Sequence, residues 1–192
     1  MRRPTIEELQ TFWLLAYSRA SLLEADAFLK AMETAEPKSV ELRAIIDAAV
    51  VAYARPFNKF QVTRERRVAP LADTPPPTHL ARFHRDALDL RNKMIGHKDA
   101  TPAQEHTTTP NVVLVHINSE GFNLHTTIIG EMGAPMRNAL KELCDYFVTH
   151  CEKNLRPLTK GYFSEVMSHP SDVYELVISE PPADWLKPFR PN

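Results

Sequence analysis

Residues 37–56 read PKSVELRAIIDAAVVAYARP, and this stretch decides the fold. Pro37 and Ser39 start a helix, and Val40, Ala44, Ile45, Ile46, Ala48, Ala49, Val50, Val51 and Ala52 make it apolar nearly all round. A helix of that kind belongs in the middle of a bundle, because no side of it is suited to water. It is expected to end near Arg55, since Pro56 disfavours helical geometry at the residue before it.

Working outward, Thr5 followed by Glu7 and Glu8 opens a first helix over about residues 5–33. Leu9, Trp13, Ala16, Ala20, Leu23 and Ala27 recur every three or four positions and are expected to form its buried face. On the other side, residues 57–77 form a long connection closed by Pro75-Pro76-Pro77. Thr78 is expected to cap a third helix with Leu80, Phe83, Ala87, Leu90 and Met94 in one stripe and Gly96 as a left-handed end. After a threonine-rich turn the period becomes two. Val113, Val115 and Ile117 alternate with Leu114, His116 and Asn118, and Glu120-Gly121 turns into Phe122, Leu124, Thr126 and Ile128, the pattern of a β-hairpin over about 111–129. Gly133 and Pro135 begin a fourth helix with Met136, Leu140, Leu143, Phe147 and Cys151 in its stripe, expected to end before Pro157. A short helix and a proline-rich tail follow, in which Val173, Tyr174, Leu176, Val177 and Ile178 suit an edge strand or a dimer surface, and Trp185 and Phe189 tie the end down. The expected fold is mainly all-α. It is an up-down bundle of four to five helices with an inserted β-hairpin, a single domain over 1–192 with its core over about 5–156 and an extension over 158–192.

Composition narrows the function. A chain of 192 residues suits one core, and 23 Lys plus Arg against 24 Asp plus Glu give a net charge of -1. There is no global basic field, so any nucleic-acid contact must be local. No run approaches the roughly 18 apolar residues of a membrane span, and a cytoplasmic protein with no membrane association is expected. The five glycines form neither GxGxxG nor GxxxxGK[ST], so nucleotide folds built on those loops lose their central signal and no cofactor is expected. Cys144 and Cys151 lie seven apart on one helix, about 10 Å along its axis, which excludes a disulfide between them. They read as small buried hydrophobes. His116 and His125 share a face of the hairpin and are expected nearly opposite each other, without a third ligand to make a metal site. His79 and His84 are five apart, off the helical metal-pair spacing, with His84 expected to border the cleft or the core. No metal is expected.

Residues 89–99 read DLRNKMIGHKD and carry the chemistry. A permanent cation, Arg91, is followed by the amide Asn92 and, six positions on, by the titratable imidazole of His97 at the expected helix end. If Gly96 turns the chain, His97 folds back beside Arg91. The bland alternative pairs Arg91 with Asp89 or Asp99 and leaves His97 as a helix-end histidine favoured by the macrodipole.

This stretch resembles the Arg-polar-x(3 to 5)-His signature of the HEPN superfamily, small helical domains of many prokaryotic toxins, antiphage effectors and RNases. Arg91, Asn92 and His97 match it residue by residue, and the resemblance extends over the helical core from about 5 to 156. Residues 52–57, AYARPF, also resemble the end of the second helix in bacterial relatives of this type. Asp99 stands where toxins paired with a nucleotidyltransferase antitoxin carry tyrosine. The resemblance implies a metal-independent endoribonuclease of toxin or defence type, cleaving RNA by attack of the 2′-hydroxyl on the adjacent phosphate, with RNA and an antitoxin protein as partners. His97 would move a proton as base or acid, Arg91 would bind the scissile phosphate, and Asn92 would orient the phosphate or Arg91. It also implies a homodimer with two motifs facing one cleft. The alternative is a non-catalytic HEPN-like module that binds RNA or nucleotide or dimerises; a purely structural helical protein is a third class.

Arg55, Lys59, Arg64, Arg66 and Arg67 stand against Glu65 alone between residues 55 and 67, with Phe57 and Phe60 interleaved. With Lys93 they are the candidate RNA-binding residues, a local phosphate surface with stacking rings. The competing account is a solvated loop whose phenylalanines pin it to the core.

Overall fold

Thr5 sits in extended geometry, φ -76° and ψ 162°, just ahead of helix α1, Ile6–Ala31. Its hydroxyl accepts from the Glu8 amide at 3.2 Å while the Glu8 carboxylate accepts from the Thr5 amide at 2.8 Å, a reciprocal capping box. Helix α2, Val40–Ala54, starts the same way: the Ser39 hydroxyl accepts from the Leu42 amide at 2.9 Å. Pro56 ends α2 by drawing Arg55–Phe57 into a 3-10 turn. The computed structural model describes residues 4–37, 39–61, 67–92, 113–118, 121–126, 132–162, 174–176 and 186–188.

The described part is mainly helical. Besides α1 and α2 it holds α3, Ala81–Leu90, and α4, Ala134–Tyr162. α1 packs along both α2 and α4, and α3 bridges α2 to α4. Ion pairs give the sense of the α1–α4 contact: Glu33 meets Lys141 near one end and Arg19 meets Glu152 farther along, at 2.8 Å, so the two helices run antiparallel. The core between them contains Leu22, Leu29, Ile46, Tyr53, Leu140, Leu143 and Phe147. Cys144 and Cys151 are free thiols buried in the same layer. Burial pushes the Cys151 thiol up to about 11 and the Cys144 thiol up as well, so both stay protonated and inert at neutral pH.

The stripe expected on α4 is the one the fold buries, from half-buried Met136 to fully buried Leu140, Leu143, Phe147 and Cys151. The face expected on α1 is not. Leu9 is buried, but Trp13 and Leu23 remain 38% and 41% exposed and Ala20 and Ala27 face out. The bundle instead takes Leu14, Ser18, Ser21, Leu22, Ala25 and Leu29. Short side chains at positions 18, 21 and 25 let neighbouring helices approach, and the Ser18 hydroxyl donates to the Leu14 carbonyl at 2.7 Å, which removes the penalty of burying it. α2 is apolar all round only in its second half: Val40 is 87% exposed, whereas Ala49, Val50 and Ala52 to Ala54 are buried.

Three further boundaries differ from expectation. Thr78 opens a 3-10 turn, Thr78–Leu80, without a side-chain cap, because Pro77 already sets the entry geometry. α4 runs through Pro157 to Tyr162. Proline removes the hydrogen bond to the carbonyl four residues back and crowds that carbonyl, but exposed Lys153 can turn it to water, while the Thr159 hydroxyl donates to Leu155 O at 2.9 Å and supports the last turn. The connection after α2 is pinned: β1, Phe60–Gln61, pairs with β2, Arg67–Val68, the Leu71 amide donates to Pro56 O at 3.1 Å, and Leu71 is buried.

β3, Val113–Asn118, pairs antiparallel with β4, Gly121–Thr126. Its register sets His116 opposite Asn123 and His125 opposite Leu114, so the two histidines are diagonal positions in the ladder rather than a directly opposed pair. β5, Tyr174–Leu176, pairs antiparallel with β6, Leu186–Pro188. The residues of the threonine-rich turn, the Ser119-Glu120 turn, Ile128, Val173, Val177, Ile178, Trp185 and Phe189 lie outside the described residues.

Candidate functional site

Arg91 and Asn92 follow α3 directly and continue it as a π-turn, a local widening of the helix that recurs at functional sites. Arg91 is half-buried and Asn92 exposed. Arg91 Nη1 donates to Asn92 Oδ1 at 2.9 Å, so the amide holds the guanidinium by one of its five N–H groups. His97, Lys93, Met94, Gly96 and Asp99 lie outside the described residues.

The basic segment is divided. Arg55 is tied to Glu24 of α1 by an ion pair, which neutralises it. Lys59 is exposed, and Arg67 stands opposite Gln61 in the β1–β2 ladder. Arg64 and Arg66 lie outside the described residues. Phe57 is not a free stacking ring. Its centroid is 4.9 Å from Phe147, 5.4 Å from Tyr53 and 4.7 Å from His84, so it pins the turn to the core, the competing account of that segment.

Those contacts outline a feature that the pattern of residues did not bring out. His84, on α3, sits in an aromatic box with edge or tilted contacts to Tyr53 of α2, Phe57 of the turn and Phe147 of α4. Its Nδ1 lies 2.7 Å from the Tyr53 hydroxyl. Tyr53 and Phe147 are fully buried, whereas His84 keeps part of its surface in solvent. Burial holds the His84 imidazole below its ordinary 6.5, favouring the neutral ring, and pushes the Tyr53 hydroxyl far up, so that it stays a neutral hydrogen-bonding group. The expectation that His84 borders the core is met; its partner Tyr53 lay unremarked inside the stretch that decides the fold. The one signal available was spacing, since His84 and Arg91 are seven apart and two turns of helix return to the same face.

His79 and His150 are occupied elsewhere. His79 meets Glu142 at 2.8 Å, and His150 lies 3.4 Å from the Thr74 hydroxyl. Among the described residues no three His, Cys, Asp or Glu side chains gather where they could hold a metal, and no helix is long and apolar enough to cross a membrane.

No protein-family model, curated protein or solved structure matches this chain.

Proposed function

We propose that the chain is a HEPN-like, metal-independent endoribonuclease of toxin or defence type, with Arg91, Asn92 and His97 as its working residues. The observation that carries this reading is the Arg91–Asn92 hydrogen bond on the π-turn at the end of α3. A guanidinium held at one terminal nitrogen by a neighbouring amide is oriented, and its remaining N–H groups suit the oxygens of a phosphate. Arg91 then binds the scissile phosphate and offsets the charge that grows on its oxygens as the 2′-oxygen attacks. His97 moves a proton near neutral pH. Lys59 and Lys93 belong to the RNA-binding surface in this reading; Arg55 is spoken for by Glu24.

Incubating wild type and His97→Ala with labelled RNA in EDTA tests it. Wild type is expected to cut and His97→Ala to bind RNA without cutting; binding by both with cutting by neither would replace the enzyme with a non-catalytic RNA-binding module.

The reading includes a homodimer in the cytoplasm. Its support is the outward stripe of α1, where Trp13, Ala20, Leu23 and Ala27 face solvent and Trp13 stacks on Tyr17 with centroids 5.3 Å apart. Glu24, beside that stripe, is already paired with Arg55, so a second copy closing over it leaves that carboxylate with its cation. Light scattering is expected to give about twice the chain mass of 21.8 kDa for wild type and the single mass for Ala20→Arg. A monomeric wild type at micromolar concentration removes the dimer.

A further inference from the structure

Cleavage by a 2′-hydroxyl needs two proton transfers, one from the attacking oxygen and one to the leaving oxygen, and the Arg-polar-His motif carries a single histidine. We propose that His84 is the general base of this site, positioned by Tyr53, and that it shares one RNA phosphate with Arg91.

The inference rests on the ribonuclease reading and on three observations. The first is placement. His84 lies on α3 and Arg91 follows that helix directly, seven residues on, so two turns return Arg91 to the face that carries His84, roughly 10 Å along the axis. In this proposal one RNA phosphate and the ribose beside it span the two positions along that face. The second is orientation. With Nδ1 held by the Tyr53 hydroxyl at 2.7 Å, the ring is fixed, and the tautomer that donates Nδ1–H to Tyr53 leaves the Nε2 lone pair free to take a proton. A buried hydroxyl that orients an imidazole through its inner nitrogen does the work a carboxylate does in acyl-transfer triads, without adding charge. The third is accessibility and charge. His84 is half-buried, and its Nε2 is not a sealed, unpartnered atom; among the described residues only Arg137 Nε has that status. Tyr53 is the titratable group packed against the ring, while Phe57 and Phe147 bring no charge, and burial alone lowers the imidazole's proton affinity. A histidine wanted only for packing needs none of this: a fourth apolar ring would fill the box without a hydroxyl partner.

The step balances without a metal or redox partner. Nε2 of His84 takes the 2′-hydroxyl proton as O2′ forms its bond to phosphorus, the P–O5′ bond breaks, and the 5′-oxygen takes a proton from a second acid supplied by the motif or by water. The products are a 2′,3′-cyclic phosphate and a 5′-hydroxyl, and the His84 imidazolium returns its proton to solvent.

The test uses the full chain, a short labelled RNA and single-turnover conditions in EDTA across pH 4.5–8.5, with wild type, His84→Asn and Tyr53→Phe. Asparagine keeps a polar atom near Nδ1 for Tyr53 and removes Nε2. His84→Asn is expected to cut at least about 100-fold more slowly while it still folds cooperatively and still binds RNA. The wild-type rate is expected to fall as pH drops through a midpoint below 6.5, because the base must be neutral, and Tyr53→Phe is expected to move that acid limb while still binding RNA. A ring-nitrogen NMR titration of His84 gives the same midpoint independently of activity. Equal cleavage by wild type and His84→Asn overturns the role of His84 and leaves the ribonuclease reading standing. A wild type that cuts nothing overturns the ribonuclease reading, and this proposal with it. An acid limb that is unchanged in Tyr53→Phe removes Tyr53 as the positioning residue.

Discussion

Replacing Arg91 with alanine is expected to slow RNA cleavage by about 100- to 1,000-fold, the usual loss when one pre-organised donor to a developing oxyanion is removed. The fold should not notice. Arg91 is half-buried at the end of α3, its guanidinium donates to its exposed neighbour Asn92, and it is not part of the core formed by the described residues. Arg91→Lys separates charge from geometry. Lysine keeps the cation but loses the planar fork, so it should restore RNA binding more fully than cleavage. The readouts are single-turnover rate, RNA affinity at fixed salt and thermal melting. Unchanged cleavage by Arg91→Ala would remove Arg91 from the site, and a parallel fall in melting temperature would make it a structural residue.

Phe147→Ala is expected to have the largest effect on stability, about 3–5 kcal/mol. The ring is fully buried and meets Phe57 at 4.9 Å, Tyr146 at 5.0 Å and His84 at 5.7 Å, so its removal opens a cavity where α4, α3 and the turn after α2 converge. That is a large share of the 5–15 kcal/mol by which a domain is ordinarily stable. Urea unfolding should show a midpoint far below wild type with a similar slope. A loss under about 1 kcal/mol would mean that the box relaxes around the missing ring, and the packing that fixes His84 would then be looser than described.

How far the fold could be read in advance depended on whether the information was local. The α2 stretch declared itself because Ser39, the apolar run and Pro56 act within a few residues of one another, and the observed helix starts and stops where they dictate. The stripe of α4 was legible because that helix has one apolar face. α1 has two. Trp13, Ala16, Ala20, Leu23 and Ala27 make one, yet the bundle took the face with Leu14, Leu22 and Leu29 beside Ser18, Ser21 and Ala25, where neighbours can approach closely and the Ser18 hydroxyl satisfies itself on Leu14. Pro157 was read as a stop although it sits where water can replace the bond it removes. At the candidate site, Arg91 and Asn92 were found because they are adjacent. Tyr53 and His84 are 31 residues apart and meet only when α2 and α3 pack, so nothing in the linear pattern paired them.

The central claim is the chemistry, and the end groups of the cleaved RNA test it most directly. Wild-type protein is incubated with a defined RNA in EDTA and the fragments are resolved by mass. The account predicts a 2′,3′-cyclic phosphate on each upstream fragment and a 5′-hydroxyl on each downstream one. Fragments with 5′-phosphates, or cleavage that appears only when a divalent metal is restored, would contradict it.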